Sequence, residues 1–335
     1  MIIRCPLSDG GDGLLEVLSA RDGWETRTAI VEDPLGRPIT AQWRVAADTA
    51  VIETAQACGL ALVESKLRDP LRLSSCGVGQ LMQAAAQNVP DRYVIGLGGS
   101  ATVDGGLGLL VALGAVVTDA CARRIHRGRA ADRADVHRLN LADAAGWLDR
   151  DVTVLCDVTT PLPKSAAAFG PQKGATPEDV RTLEQLLDDW ATRVEGCVGR
   201  PGLRLDAGTG AAGGLGFAFR ALGATMVDGA GHVAEVVGLG KHLVQADLLI
   251  VGEGQLDATS FAGKAVGNAV ARATALGVPV AAVVGRAAVV PDELVAIAEA
   301  GGPAGPGPYP EEEVCGAGKR LARTVTRSSI TARPR

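Results

Sequence analysis

Aromatic side chains are scarce in this sequence. Phe, Trp and Tyr supply 3% of its 335 residues, while hydrophobic residues as a whole reach 47%. The core must therefore be built from Ala, Val and Leu. Histidine is rarer still: His126, His137, His232 and His242 form no H-x-x-x-H or Cys/His cluster, which argues against a structural transition-metal site. The seven cysteines, at 5, 58, 76, 121, 156, 197 and 315, are odd in number and include no C-x-x-C pair. Such scatter fits reduced thiols in a cytoplasmic protein and excludes a disulfide framework. No apolar stretch reaches the length of a membrane span, and MIIRCPLSDGG carries no signal-peptide core, so no membrane partner is expected. A net charge of −5 argues against nucleic acid as a partner. The one local excess of positive charge, RRIHRGRAADRADVHR from Arg123 to Arg138, is interrupted by Asp132 and Asp135 and reads as a solvated loop.

What the chain has in abundance is glycine, 44 residues, mostly in short turns between apolar runs. Strand-like and helix-like segments alternate, the pattern of an α/β protein long enough for two domains. TRTAIVED, ITAQWRV and TAVIETA, between Thr26 and Ala55, read as antiparallel strands, with PLGRP supplying one turn. A capped helix is predicted from Ser74. Strands are predicted at Tyr93–Leu97, 152–158, 247–251 and 279–284. The helix PEDVRTLEQLLDDWATRV carries strong start signals: Thr176 as N-cap, Pro177 at its first position, then Glu178 and Asp179.

The most informative stretch is RYVIGLGGSATVDGG, Arg92 to Gly106. A buried strand turns through Gly98, Gly99, Ser100, Ala101 and Thr102, then through Gly105 and Gly106, into a helical run. Uncovered amides at such a turn favour phosphate, and side chains beyond Cβ would block its approach. GTGAAGGLG, with Gly210 and Gly213, repeats the theme. FGPQKGAT sets Lys173 in a glycine turn. DLLIVGEGQLDATSFAGKAVG follows an apolar strand with Glu253, Asp257 and Lys264. Acids and a lysine just beyond strand ends are where open α/β sheets place their chemistry. A nicotinamide-dependent oxidoreductase is a weaker alternative, because Gly96 to Ala101 fits G-x-G-x-x-A and Asp119 lies about 20 residues on. A Walker A site is excluded, since no G-x-x-x-x-G-K-[ST] occurs and Lys264 is followed by Ala265.

Nine blocks in unbroken order resemble the type I glycerate kinases of bacteria. They are SDGGDG (8–13), DPLGRPITAQW (33–43), IETAQACGL (52–60), RDPLRLSSCGVGQL (68–81), GLGGSATVDGGLG (96–108), CDVTTPL (156–162), FGPQKGA (169–175), GTGAAGGLG (208–216) and GEGQLDATSFAGK (252–264). The resemblance implies ATP-dependent phosphorylation of D-glycerate. It also implies two α/β domains with the active site between them: a flavodoxin/Rossmann-like parallel-sheet domain, over 1–24 and 245–325, and an inserted mixed α/β domain over 25–244. Residues 326–335 read as a disordered tail. Members of the family begin with a further strand before the block matched by SDGGDG. The parallel sheet is therefore expected to lack its first strand and to show an unpaired edge beside Leu248–Val251. A remnant that binds nucleotide or glycerate without turnover is the corresponding alternative.

Under this resemblance the glycine loops bind ATP through Gly98, Gly99, Ser100, Ala101, Thr102, Gly105, Gly106, Gly210 and Gly213, helped by Lys264. Mg²⁺ needs hard oxygen ligands, and Glu253 and Asp157 are the candidates. Asp257, Asp157 and Lys173 are the candidate catalytic groups, with Asp257 first in line to take the hydroxyl proton. Asp9, Gly10, Gly11, Asp12 and Arg68 are expected at the substrate. D-Glycerate and ATP are the implied partners, and self-association is left open.

Overall fold

The apolar runs become strands in two separate sheets and one short ribbon in a computed structural model of the chain. It describes residues 1–19, 23–87, 90–261, 264–301 and 309–325. The expected disordered tail, 326–335, lies outside the described residues. Two compact units result: Gly10–Gly229, and Met1–Asp9 together with Ala230–Arg335. The sequence placed these divisions at 24/25 and 244/245. In the structure the short helix Leu14–Ser19 packs on the second and third strands of the larger unit. That packing buries Leu14, Leu15, Val17 and Leu18.

The larger unit is built on a six-stranded mixed sheet. Its strands are β1 (Glu25–Glu32), β2 (Pro38–Ala46), β3 (Thr49–Glu53) and β4 (Arg92–Gly96). After the ribbon strands β5 (Val116–Thr118) and β6 (Arg138–Asn140) come β7 (Asp151–Leu155) and β8 (Thr225–Val227). The order is β1-β2-β3-β4-β7-β8. The first three strands form the antiparallel meander expected between Thr26 and Ala55, and β3, β4, β7 and β8 run parallel. Asp33 sets the first turn: its carboxylate accepts from the Leu35 and Arg37 amides at 2.9 and 2.8 Å and pairs with Arg37. The parallel strands are apolar on both faces, as helix-covered strands must be. Ile52, Ile95 and Val154 are fully buried in one core with Leu81, Met82, Phe217 and Trp190.

The smaller unit has a three-stranded all-parallel sheet. Its strands are β9 (Leu249–Leu256), β10 (Val280–Ala287) and β11 (Leu294–Glu299), in the order β11-β10-β9. Helix Glu311–Thr324 packs on β10 and β11, and helix Ala265–Ala275 on β9. Among the described residues β9 pairs only with β10, and Ile250 on it is 56% exposed. Among the described residues no helix is long and apolar enough to cross a membrane.

The longest helix begins as its sequence dictates. Thr176 accepts from the Asp179 amide at 3.2 Å, and the Asp179 carboxylate accepts from the Thr176 amide at 2.8 Å, which closes a capping box. Pro177 follows, and the helix runs to Val198, where Gly199 ends it in the left-handed region. Leu183, Leu187, Trp190, Ala191 and Val194 form its buried face. Thr176→Ala removes one acceptor and half of the box. The expected loss is about 1 kcal/mol, read as a lower urea midpoint by circular dichroism with an unchanged slope.

Candidate active site

Two glycine loops of the larger unit lie directly on each other. The chain leaves β4 with Gly96, whose carbonyl accepts from the Thr54 amide at 3.0 Å and the Thr54 hydroxyl at 2.9 Å. Gly98 and Gly99 then pass under the loop 10–13. A Cβ on Gly98 would collide with Gly11, and one on Gly99 with the Asp12 carboxylate; Gly99 also has φ of +58°. Only glycine permits this approach. Glu53, at the end of β3, holds the upper loop by accepting from the Gly13 and Leu15 amides at 3.4 and 3.3 Å. Burial pushes its carboxyl up, and the neighbouring Asp12 charge adds to the rise. Asp12 is exposed at this surface, while Gly10 and Gly11 are buried.

The amides of this turn divide into two groups. Those of Ala101, Gly105 and Gly106 donate inside the protein, to Cys58 O, Gly213 O and the Asp104 carboxylate. Among the described residues, the amides of Gly98, Gly99, Ser100 and Thr102 donate to no protein acceptor. Gly98 is half-buried and Gly99 exposed, so these two meet solvent. Gly213, with φ of +70°, packs so closely that a Cβ would strike Thr102 O. Gly210 donates to Thr160 O at 2.9 Å. Gly105, Gly106, Gly210 and Gly213 thus shape the loop from behind.

Asp104 holds this arrangement together. It is fully buried, and its carboxylate accepts from Ser75 N at 2.8 Å, Ser75 Oγ at 2.7 Å, Gly106 N at 3.0 Å and Gly108 N at 3.2 Å. Burial pushes its carboxyl up, against those donors and the Arg133 charge. Ser75 stands at the N-cap of the expected helix, Cys76–Ala86, but its hydroxyl turns to Asp104 instead of capping. Lys173 is 2% exposed, and its ammonium donates to Ser100 Oγ at 2.9 Å and Thr102 O at 2.8 Å. The reading of 123–138 as a solvated loop fails at Arg133. That side chain is 4% exposed and donates to Val103 O at 3.1 Å. It lies under the loop because the short 3₁₀ turn Ala131–Asp135 carries it there. Asp119, the ribose acid of the nicotinamide reading, instead closes its own turn by accepting from the Cys121 and Arg123 amides.

Arg68 is half-buried and donates to Val63 O and Leu60 O at 3.2 and 3.5 Å, beside the bridge between Gly59 and Ser100. Asp157 is half-buried, two residues past β7. Asp9 is half-buried at the end of the N-terminal segment of the smaller unit.

In the smaller unit Glu253, Asp257 and Lys264 form one cluster around the C-terminal part of β9. Burial pushes the Glu253 carboxyl up; Ser260 and Lys264 pull it down, and Asp257 raises it further. Among the described residues, Glu253 Oε1 is buried without a hydrogen-bond partner. The Asp257 amide donates to Ser260 Oγ at 3.1 Å, and Gln255 Nε2 donates to the Asp257 carboxylate at 3.3 Å. Lys264 stands at the N-cap of helix Ala265–Ala275. Two carboxylates, one with an orphaned oxygen, are a donor set suited to Mg²⁺. Among the described residues no three acids, histidines or cysteines come together as a metal-binding group.

The sequence reading missed three functional positions. Glu53 and Asp104 lie inside the motifs quoted above but carried no assigned role. Arg133 sat in a charged run whose polarity hid its burial. Asp104→Ala leaves two amides, a third at 3.2 Å and a hydroxyl without their acceptor, beside a buried guanidinium. Thermal unfolding is expected to report a loss on the order of 3 kcal/mol. Amide exchange at Ser75, Gly106 and Gly108 should accelerate first, and an unchanged melting midpoint would contradict this role.

Comparison with known proteins places the chain in one family. The chain matches the glycerate kinase family over residues 1–328. It is 38% identical over 276 residues to the glycerate 2-kinase of Escherichia coli K12, covering 78% of this chain and 70% of the relative. It is 37% identical over 292 residues to the glycerate kinase of Bacillus subtilis 168, covering 84% and 75%. The crystal structure of a putative glycerate kinase 2 from Salmonella typhimurium LT2 superimposes with a TM-score of 0.79 at 31% identity, over 98% of this chain and 88% of that one. A braced glycine turn with outward amides, an acid and lysine cluster past a parallel strand, and these likenesses across nearly the whole chain lead to one assignment: the protein is an enzyme of the glycerate kinase family.

Proposed function

We propose that the chain transfers the terminal phosphoryl group of ATP to a hydroxyl of D-glycerate with the help of Mg²⁺. The observation that carries this reading is the set of unsatisfied amides at Gly98, Gly99 and Ser100 on a turn held rigid from behind. Phosphoryl transfer asks for positioned charge more than for covalent chemistry, and preset amides give that without rearrangement. Gly98, Gly99, Ser100 and Thr102 orient phosphate oxygens, with Ala101 fixing the turn. When bound, Mg²⁺ would neutralise phosphate charge. Glu253 would hold it, with Asp157 as a further candidate. Asp257 would also accept the proton of the glycerate hydroxyl as the oxygen attacks. Lys264 and Arg68 offset negative charge on phosphate and on the substrate carboxylate. Asp9 and Asp12 accept hydrogen bonds from substrate hydroxyls, on a loop whose Gly10 packs against Leu155 and whose Gly11 packs against Gly98.

An ATP-coupled assay with Mg²⁺ and D-glycerate tests this directly. Asp257→Asn keeps shape and removes charge. Turnover should fall by roughly 10²-fold or more, the scale of a positioned acid–base group, with little change in melting temperature. Equal turnover in the variant moves the role to Glu253 or Asp157. No phosphorylation of D-glycerate by the parent would leave a binding protein without turnover.

A further inference from the structure

The larger unit buries more positive than negative charge directly behind the Gly98–Thr102 turn. Lys173 and Arg133 are 2% and 4% exposed, and Asp104 is the buried carboxylate that attracts both. Cys58, from the short helix Ala55–Cys58, also faces Lys173, but burial pushes its thiol up to about 12 and leaves it neutral. The remaining neighbours of Lys173 are uncharged at the point of contact: the Phe169 ring at 6.0 Å, Ser100 Oγ and Thr102 O. Two buried cations therefore face one buried anion. Among the described residues Arg133 Nη1 finds no acceptor. An unbalanced buried cation is costly, and proteins retain one where something else supplies the missing charge.

A second observation concerns Ser100. Ser100 is 6% exposed, and its hydroxyl accepts from Lys173 at 2.9 Å. An ammonium has no lone pair to receive a proton in return. The Ser100 hydroxyl proton is thus left to point elsewhere, and among the described residues it donates to no protein acceptor. A chain of donors runs from the Lys173 ammonium through the Ser100 hydroxyl towards whatever lies at the turn. The neighbouring Gly98 and Gly99 amides are open to the same place.

We propose that Lys173 is a positioning residue whose buried charge is balanced by a phosphate-bearing ligand at the Gly98–Thr102 turn, so that ligand binding and protonation of Lys173 are coupled. This rests on the phosphate-binding role given to that turn above. Lys173 does not touch the ligand; it aligns Ser100 and Thr102 and supplies a field from behind. Burial draws its ammonium down to about 8, while Cys58 and then the Asp104 charge pull the other way. A bound anion favours the charged form and raises that value. The sign then follows from linkage: binding takes up a proton above about pH 8, and affinity falls as pH rises further.

The experiment is calorimetric titration of ADP with Mg²⁺ into the full chain without glycerate, at pH values from 7 to 9.5. Nucleotide phosphates have finished titrating in that range. Runs in two buffers of different ionisation enthalpy count protons taken up. The parent should lose affinity by roughly tenfold between about pH 7.5 and 9.5, with measurable proton uptake near the upper end. Lys173→Arg keeps its charge throughout and should flatten the profile. Lys173→Met should bind more weakly at pH 7 and be equally flat. ADP binding with no pH slope and no proton uptake in the parent overturns the proposal, whatever the variants do. Lys173→Met binding as tightly as the parent also overturns it. No ADP binding at any pH removes the phosphate-binding reading, and the proposal with it.

Discussion

One buried carboxylate organises the larger unit. Asp104 gathers four donors from three residues: the amide and hydroxyl of Ser75 at the start of helix Cys76–Ala86, and the amides of Gly106 and Gly108. Without it the second half of the turn after β4 loses the acceptor that ties Gly106 and Gly108 to Ser75. The same charge makes tolerable the burial of Arg133 and Lys173, which brace the turn at Val103, Ser100 and Thr102. A flexible glycine segment thereby becomes a fixed one. Among the described residues the Gly98 and Gly99 amides meet solvent and no protein acceptor.

The strands and the longest helix were legible because their signals are local. The capping box needs only Thr176, Pro177 and Asp179, and the parallel strands need only unbroken apolar runs. The placement of the acids just past β9 and the glycines just past β4 was legible too, since both follow unbroken apolar runs. The allocation of individual amides was not. Nothing in GLGGSATVDGG says that Gly105 donates to Gly213 while Gly98, among the described residues, donates to no protein acceptor, because that depends on a loop more than a hundred residues away. Arg133 was hidden for a related reason. Its neighbours Arg129 and Asp132 pair at the surface, and the run looks solvated until the 3₁₀ turn carries one of its arginines inward. Ser75 looks like a helix cap and is instead a partner of Asp104, a case of tertiary contact overriding local preference.

The two units contribute different chemistry. The larger offers amides and buried positive charge, which suit phosphate. The smaller offers Glu253 and Asp257 with Lys264, which suit a hard cation and a proton. Its three-stranded sheet carries that cluster on β9, an edge strand among the described residues. Parallel sheets are usually covered on both faces, and the exposure of Ile250 marks a departure from that rule.

Amide hydrogen exchange resolved by residue, with and without ADP and Mg²⁺, tests the central claim most directly. Gly98, Gly99 and Ser100 should exchange freely in the unliganded protein and become protected on binding. Gly105 and Gly106, already bonded to Gly213 and Asp104, should be slow in both states. Protection that appears elsewhere while Gly98–Ser100 stays unchanged would contradict the account.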